Sequence, residues 1–250
     1  MSRAVKIALL LLVAVVVVVI IGVAWYFFIR DDSEPPLELT PTTTGADGSA
    51  GPSTTGGDPA GGESPDGDWI VSRESAAGDA VSVVGYRVTE KLARLPARSD
   101  AVGRTELVAG TLTVEGTSIT AVEVTADLTG LESDVDRRDE SLTSKGLETD
   151  TFPEANFTLT EPIELGEVPA TGEDVSVTAV GDLTLHGVTR SVEVAIDARW
   201  SADESGEEIE VVGSTPIVMA DYDIEPPSVG GIVDVDDNGT MEFQLFFTRA

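Results

Sequence analysis

The chain has 250 residues, 45 acidic against 15 basic side chains, a formal net charge of −30 and no cysteine. The missing cysteine excludes disulfides, a thiolate nucleophile, cysteine-ligated metal and lipid acylation of the chain. The charge excludes nucleic acid as a partner, since little is on hand to neutralise phosphates, and argues against a domain lying flat on anionic lipid.

Residues 7–29 form an unbroken apolar run with no charge inside it. At about 1.5 Å per residue such a helix spans roughly 34 Å, enough to cross a hydrocarbon core of about 30 Å. Arg3 and Lys6 precede the run, and only six residues lie before it. Positive flanks stay in the cytoplasm, which places the N-terminus inside and everything after Arg30 outside. The rival reading is a cleaved signal peptide, for which Gly22-Val23-Ala24 offers a small-x-small site. A signal h-region is usually ~7–15 residues, shorter than this run, and Trp25-Tyr26-Phe27-Phe28 suits a membrane interface belt. The expectation is therefore an uncleaved single-pass anchor over residues 1–30.

Residues 31–67 read as a linker. Thr, Ser, Gly and Pro dominate it, and apolar residues are almost absent after Leu39, so it cannot bury enough surface to fold. A coil of this length reaches roughly 35 Å and would hold the C-terminal domain off the membrane without fixing its orientation.

From Asp68 the hydrophobic period changes to two. Val84, Tyr86 and Val88 share one face, as do Val108, Leu112 and Val114. Val122, Val124, Ala126 and Leu128 alternate with Glu123, Thr125 and Asp127. Val188, Val192, Val194, Ile196, Ala198 and Trp200 alternate with polar neighbours, and so do Met241, Phe243, Leu245 and Phe247. This is the repeated pattern of half-buried antiparallel strands. Glu115-Gly116-Thr117, His186-Gly187, Glu204-Ser205-Gly206 and Asp237-Asn238-Gly239 read as hairpin turns. Gly85, Gly110, Gly181 and Gly213 fall inside strand-like runs and suggest bulges or bends. Residues 133–142 break the pattern with a cap residue, charges and a Val135/Leu142 spacing suited to one short helix. About eight strands and one helix result. Eight antiparallel strands can close into a barrel that is filled or holds one small ligand, and a sandwich stays open on pattern alone.

Catalytic chemistry is sparse. His186 is the single histidine, so no Ser-His or multi-His zinc site can be assembled, and it reads as a partly exposed turn residue. Asp234-Val235-Asp236-Asp237-Asn238-Gly239 resembles the start of a calcium loop, but Leu245 stands where a bidentate Glu is needed. Arg137-Arg138-Asp139 with Glu148 and Asp150 reads as a helix surface plus an ion pair that fixes a crossover. No phosphate loop, dinucleotide fingerprint or nucleophile elbow occurs. The expected catalytic residues, metal ligands and cofactors are therefore none.

The order and spacing of several motifs after Trp69 resemble the YceI-like family of bacterial extracytoplasmic lipid-binding proteins. They are Val84-Gly85-Tyr86-Arg87-Val88, Val108-Ala109-Gly110-Thr111-Leu112-Thr113, Arg138-Asp139 with Leu142, Phe152-Pro153-Glu154-Ala155-Asn156-Phe157, and Gly181-Asp182-Leu183-Thr184-Leu185-His186-Gly187-Val188-Thr189. The resemblance implies an all-β, lipocalin-like barrel of eight antiparallel strands over residues 68–250. It also implies an apolar channel for a polyisoprenoid or similar long-chain amphiphile. By alternation the lining would be Val84, Tyr86, Leu112, Val124, Leu183, Leu185, Ile196, Phe243 and Leu245, although a one-residue register error would move a whole strand's set to the other face. This chain departs from the family pattern in its anchor and linker and in the basic stretch Lys91-Leu92-Ala93-Arg94-Leu95-Pro96-Ala97-Arg98.

The leading expectation is a binding protein, not an enzyme, single-pass in a bacterial cytoplasmic membrane with its C-terminal domain outside. The alternative is a packed barrel displayed as an interaction module without ligand. Dimerisation to a homodimer is left open.

Overall fold

The structure, a computed structural model, describes residues 34–41, 64–92, 98–203, 206–226 and 233–250. The expected anchor, most of the linker and the tip of the basic stretch lie outside these residues. Among the described residues no helix is long and apolar enough to cross a membrane.

Twelve strands make one antiparallel sheet: β1 (Gly67–Ser72), β2 (Val83–Leu92), β3 (Arg98–Thr105), β4 (Val108–Glu115), β5 (Ser118–Asp127), β6 (Glu132–Ser133), β7 (Glu154–Leu159), β8 (Ile163–Glu164), β9 (Asp174–Leu185), β10 (Val188–Asp203), β11 (Gly206–Val218) and β12 (Val233–Arg249). Eight of them form a closed ring, β1-β4-β5-β7-β9-β10-β11-β12 and back to β1. Closure rules out the two-sheet sandwich. The long strand β12 makes it possible, because its C-terminal residues pair with β1 and its first two-thirds pair with β2. From β2 the sheet continues into β3 and β6, and the one α-helix among the described residues, α1 (Asp136–Ser141), forms the expected break in the β pattern.

Alternation places the core. Trp69 and Phe247, each at most 1 % exposed, pack with Leu112, Trp200 and Leu245 at one end of the barrel. The Trp69 indole donates to the Pro65 carbonyl at 2.8 Å, and the Arg249 guanidinium stacks 4.2 Å over its ring. At the other end Leu183, Leu142, Leu147 and Tyr222 pack beneath α1 and the loops beside it.

Two turn expectations need correction. His186-Gly187 is the tight loop between β9 and β10, with both residues at positive φ (51° and 73°), but His186 is buried. Its ring contacts the Tyr222 carbonyl at 3.1 Å and the Glu148 carboxylate at 3.2 Å and packs against Phe152. Asp237-Asn238-Gly239 is no turn: it lies inside β12, where the register to β2 shifts between Val235 and Gly239. Residues that tolerate unusual backbone serve a bulge as well as a turn, and the local sequence does not separate the two. The calcium-like motif is therefore held in a strand, with Lys91 paired to Asp236.

Gly181 and Gly213 form no bulge, since the register runs through both without a break. They make room for rings instead. A Cβ on Gly213 would overlap the ring of Phe243, and one on Gly181 would overlap the ring of Phe157.

Candidate functional site: two adjoining apolar cavities

Two cavities lie along the barrel interior. The first, about 130 Å³, is walled by carbon from β4, β5, β7 and β9–β12, including Phe157, Trp200, Ile209 and Phe243. The second, about 110 Å³, lies toward α1 and is bordered by Leu131, Leu142, Leu147, Ile217 and Met219. Val84, Ala155 and Met241 border both, so the two cavities adjoin at these side chains. Strand β9 marks the axis, from Val175 beside the first cavity to Leu185 beside the second.

Of the nine positions expected to line a channel, Leu112, Val124, Leu183, Ile196, Phe243 and Leu245 border the first cavity. Tyr86 and Leu185 border the second, and Val84 borders both. Phe157, Ile209, Val211 and Met241 also line the cavities and were not anticipated. Met241 and Phe157 lie in segments with a clear alternating or motif signal. Ile209 and Val211 were hidden, because β11 is buried on both faces from Ile209 to Gly213 and shows no clean alternation.

The second cavity has a polar end. Arg138 from α1 donates twice to Glu90, at 2.8 and 3.1 Å, in the two-pronged geometry that suits guanidinium and carboxylate. Each partner is about 15 % exposed, with values of 16 % and 15 %. Asp139 accepts from the Ser133 amide and hydroxyl, which fixes the start of α1. Arg138 therefore pairs with Glu90 and with Asp134, while Glu148 contacts His186 instead. Burial pushes the Tyr86 phenol well above its ordinary range. The Tyr86 hydroxyl, like the Trp200 indole N–H in the wall of the first cavity, has no hydrogen-bond partner. Such a buried donor costs about 1–3 kcal/mol until something accepts from it. Among the described residues no group of three or more His, Asp or Glu is gathered in a way that could hold a metal ion.

A model of the YceI-like domain matches residues 80–247. The chain belongs to the YceI-like domain family. Among its YceI-like relatives, a UPF0312 protein of Vibrio vulnificus is 27 % identical over 139 residues, which is 54 % of this chain and 70 % of that protein. A UPF0312 protein of Vibrio parahaemolyticus is 29 % identical over 118 residues, 46 % of this chain and 59 % of that protein. The barrel is similar to a solved polyisoprenoid binding domain from Saccharophagus degradans implicated in plant cell wall breakdown. There the TM-score is 0.51 and the identity 17 %, with 73 % of this chain and 98 % of that chain covered. At that identity the likeness concerns the YceI-like fold.

Proposed function

We propose that this YceI-like protein binds a polyisoprenoid or similar long-chain amphiphile inside its barrel, outside the cytoplasmic membrane to which residues 7–29 anchor it. The observation that carries the reading is the pair of adjoining cavities with carbon walls. An apolar interior of this kind binds by removing methylenes from water, worth roughly 0.8 kcal/mol per CH₂. It needs few polar contacts. The tail would occupy the first cavity against Leu112, Val124, Leu183, Ile196, Phe243 and Leu245. The polar end would meet the Tyr86 hydroxyl near Arg138 in the second.

Size sets a condition. An apolar cavity of ~150 Å³ admits a benzene ring, so each of these cavities takes a short piece of chain. A longer tail would fill both by turning aside side chains where the cavities adjoin, of which Met241 is unbranched and adaptable. Binding rather than catalysis is proposed because the single histidine is already engaged by Glu148 and the Tyr222 carbonyl. The family resemblance also points to a binding protein.

The test is native mass spectrometry of the full chain in detergent, before and after organic extraction, then after incubation with a polyprenyl phosphate. The expected result is an added mass that extraction removes and incubation restores. Leu183→Asp with Val124→Asp should abolish the restoration while circular dichroism still reports a β-fold. An unchanged apo mass throughout would instead favour a packed barrel that works as an interaction module.

A further inference from the structure

Residues 34–41 belong to the stretch expected to be a free linker, yet they lie against the outside of the barrel. The Arg87 guanidinium donates to the Glu34 carbonyl at 2.8 Å, and Arg104 pairs with the Glu34 carboxylate and donates to the Pro35 carbonyl at 3.1 Å. The Gln244 amide reaches the Glu38 carbonyl at 3.4 Å. The Thr40 amide and hydroxyl both donate to Glu210, at 2.7 and 2.8 Å, and Arg199 donates to the Thr40 carbonyl at 2.6 Å. Leu37 and Leu39 are half-buried.

These partners lie on β3, β2, β12, β11 and β10, in that order across the sheet. Five strands about 4.8 Å apart are roughly 19 Å across, and six residue steps of about 3.3 Å give roughly 20 Å. The segment is therefore an extended strap that crosses the strands. Pro35 and Pro36 restrict its unbound conformations, which lowers the entropy lost on docking. The barrel face is built to receive it. Glu210 and Glu242 are buried carboxylates on the outer side of their strands, 6 % and 4 % exposed, and Glu242 is held by Arg87 and Arg104.

The strap has a direction along the barrel. Arg87, where it starts, sits between Tyr86 and Gly85 on one side and Val88 on the other, all bordering the second cavity. Glu210, where it ends, sits between Ile209 and Val211, both bordering the first. We infer that the strap clamps the barrel close to the membrane with its second-cavity end toward the bilayer, so that lipid passes between bilayer and barrel without a soluble excursion. This rests on the proposed anchor over residues 7–29. Four residue steps separate Arg30 from Glu34, which at full extension reach at most about 14 Å. Residues 42–63 then join the strap to β1 and add nothing to the reach of the tether.

The test uses the full chain in phosphatidylcholine vesicles whose headgroups carry an energy-transfer acceptor. The chain has no cysteine, so a donor can be placed singly by Ser144→Cys near α1 or Thr171→Cys at the first-cavity end. Transfer from position 144 should exceed that from position 171 by at least twofold. A ten-residue Gly/Ser insertion between Arg30 and Asp31, with an r.m.s. span of roughly 17 Å, should lower transfer from position 144 by half or more. The same insertion between Ser53 and Thr54 should leave it unchanged. In a strap variant carrying Leu37→Ser, Leu39→Ser and Thr40→Ala the two insertions should become equivalent. Equal responses in the unaltered strap, or stronger transfer from position 171, would overturn the clamp while leaving the anchor intact. Failure of the protein to float with the vesicles would overturn the anchor and the clamp together.

Discussion

Gly213→Ala tests whether the first cavity is the binding site. A Cβ at position 213 would sit 2.9 Å from Cε1 and Cε2 of Phe243 and closer still to Cζ. Carbon contacts settle at about 3.5–4.0 Å, so the ring must move by about 1 Å. Its free side is the first cavity, about 130 Å³. The ring therefore swings inward instead of breaking the sheet, which puts the overpacking cost near the middle of the usual ~1–3 kcal/mol, about 2 kcal/mol. The backbone at Gly213 lies outside the left-handed region, so alanine also recovers about 0.4–1 kcal/mol from the unfolded chain. A net loss of about 1 kcal/mol lowers Tm by roughly 2–4 °C for a domain of this size. The effect on ligand is larger. A ring displaced into the cavity excludes two or three methylenes of tail, about 2 kcal/mol and close to thirtyfold in Kd. The assay is thermal unfolding beside titration with a polyprenyl phosphate in detergent. Adding Phe243→Leu should restore both quantities, a coupling expected only for groups in contact. Destabilisation without weaker binding would refute the first cavity as the site. An unchanged Tm would refute the steric reasoning itself.

Glu208 supplies a pH prediction. It is a buried carboxyl that accepts from the Ala76 amide at 2.5 Å and the Ser75 hydroxyl at 3.0 Å, and burial raises its pKa above the ordinary carboxylate value. The folded state then holds the proton more tightly than the unfolded chain, so this group's contribution to stability falls as pH rises from the ordinary Glu range through the folded pKa. Glu208→Gln should remove that fall, leaving the variant at least as stable as the parent at pH 7 and no better at pH 4. Chemical denaturation at the two pH values checks it, and a Gln variant that gains at low pH would reverse the sign. At position 186, a left-handed residue, His186→Asn keeps a favourable loop residue and loses the ring contacts, about 1 kcal/mol. His186→Val adds backbone strain of a further ~1–2 kcal/mol, so Tm should order His, then Asn, then Val. Trp69→Phe leaves the Pro65 carbonyl without its indole donor and should cost about 1–3 kcal/mol, read as a shifted denaturation midpoint at unchanged m-value.

Much of the barrel was legible in the chain because one buried face and one wet face produce alternation. Strands β5 and β10 and the closing half of β12 show it directly. His186-Gly187 was legible as a turn because the loop between β9 and β10 needs two residues at positive φ. Strand β11 was not, because Glu208 and Glu210 are buried on its outer side by residues 75–76 and by the strap. Acidic residues in a run normally signal solvent, and only a distant partner reverses that meaning.

The sequence by itself determined the all-β character, the short helix at residues 133–142, the scarcity of catalytic chemistry and the apolar face of the alternating strands. These follow from local periodicity and composition, which need no knowledge of what lies opposite. The tertiary structure alone decided that β12 closes the ring and that Asp237-Asn238-Gly239 bulges within it. It also decided that Gly181 and Gly213 seat Phe157 and Phe243, and that residues 34–41 dock as a strap. Each of these depends on which residue faces which across strands far apart in sequence, such as Phe243 against Gly213 and Thr40 against Glu210. Such pairings are set by barrel closure and carry no local signature.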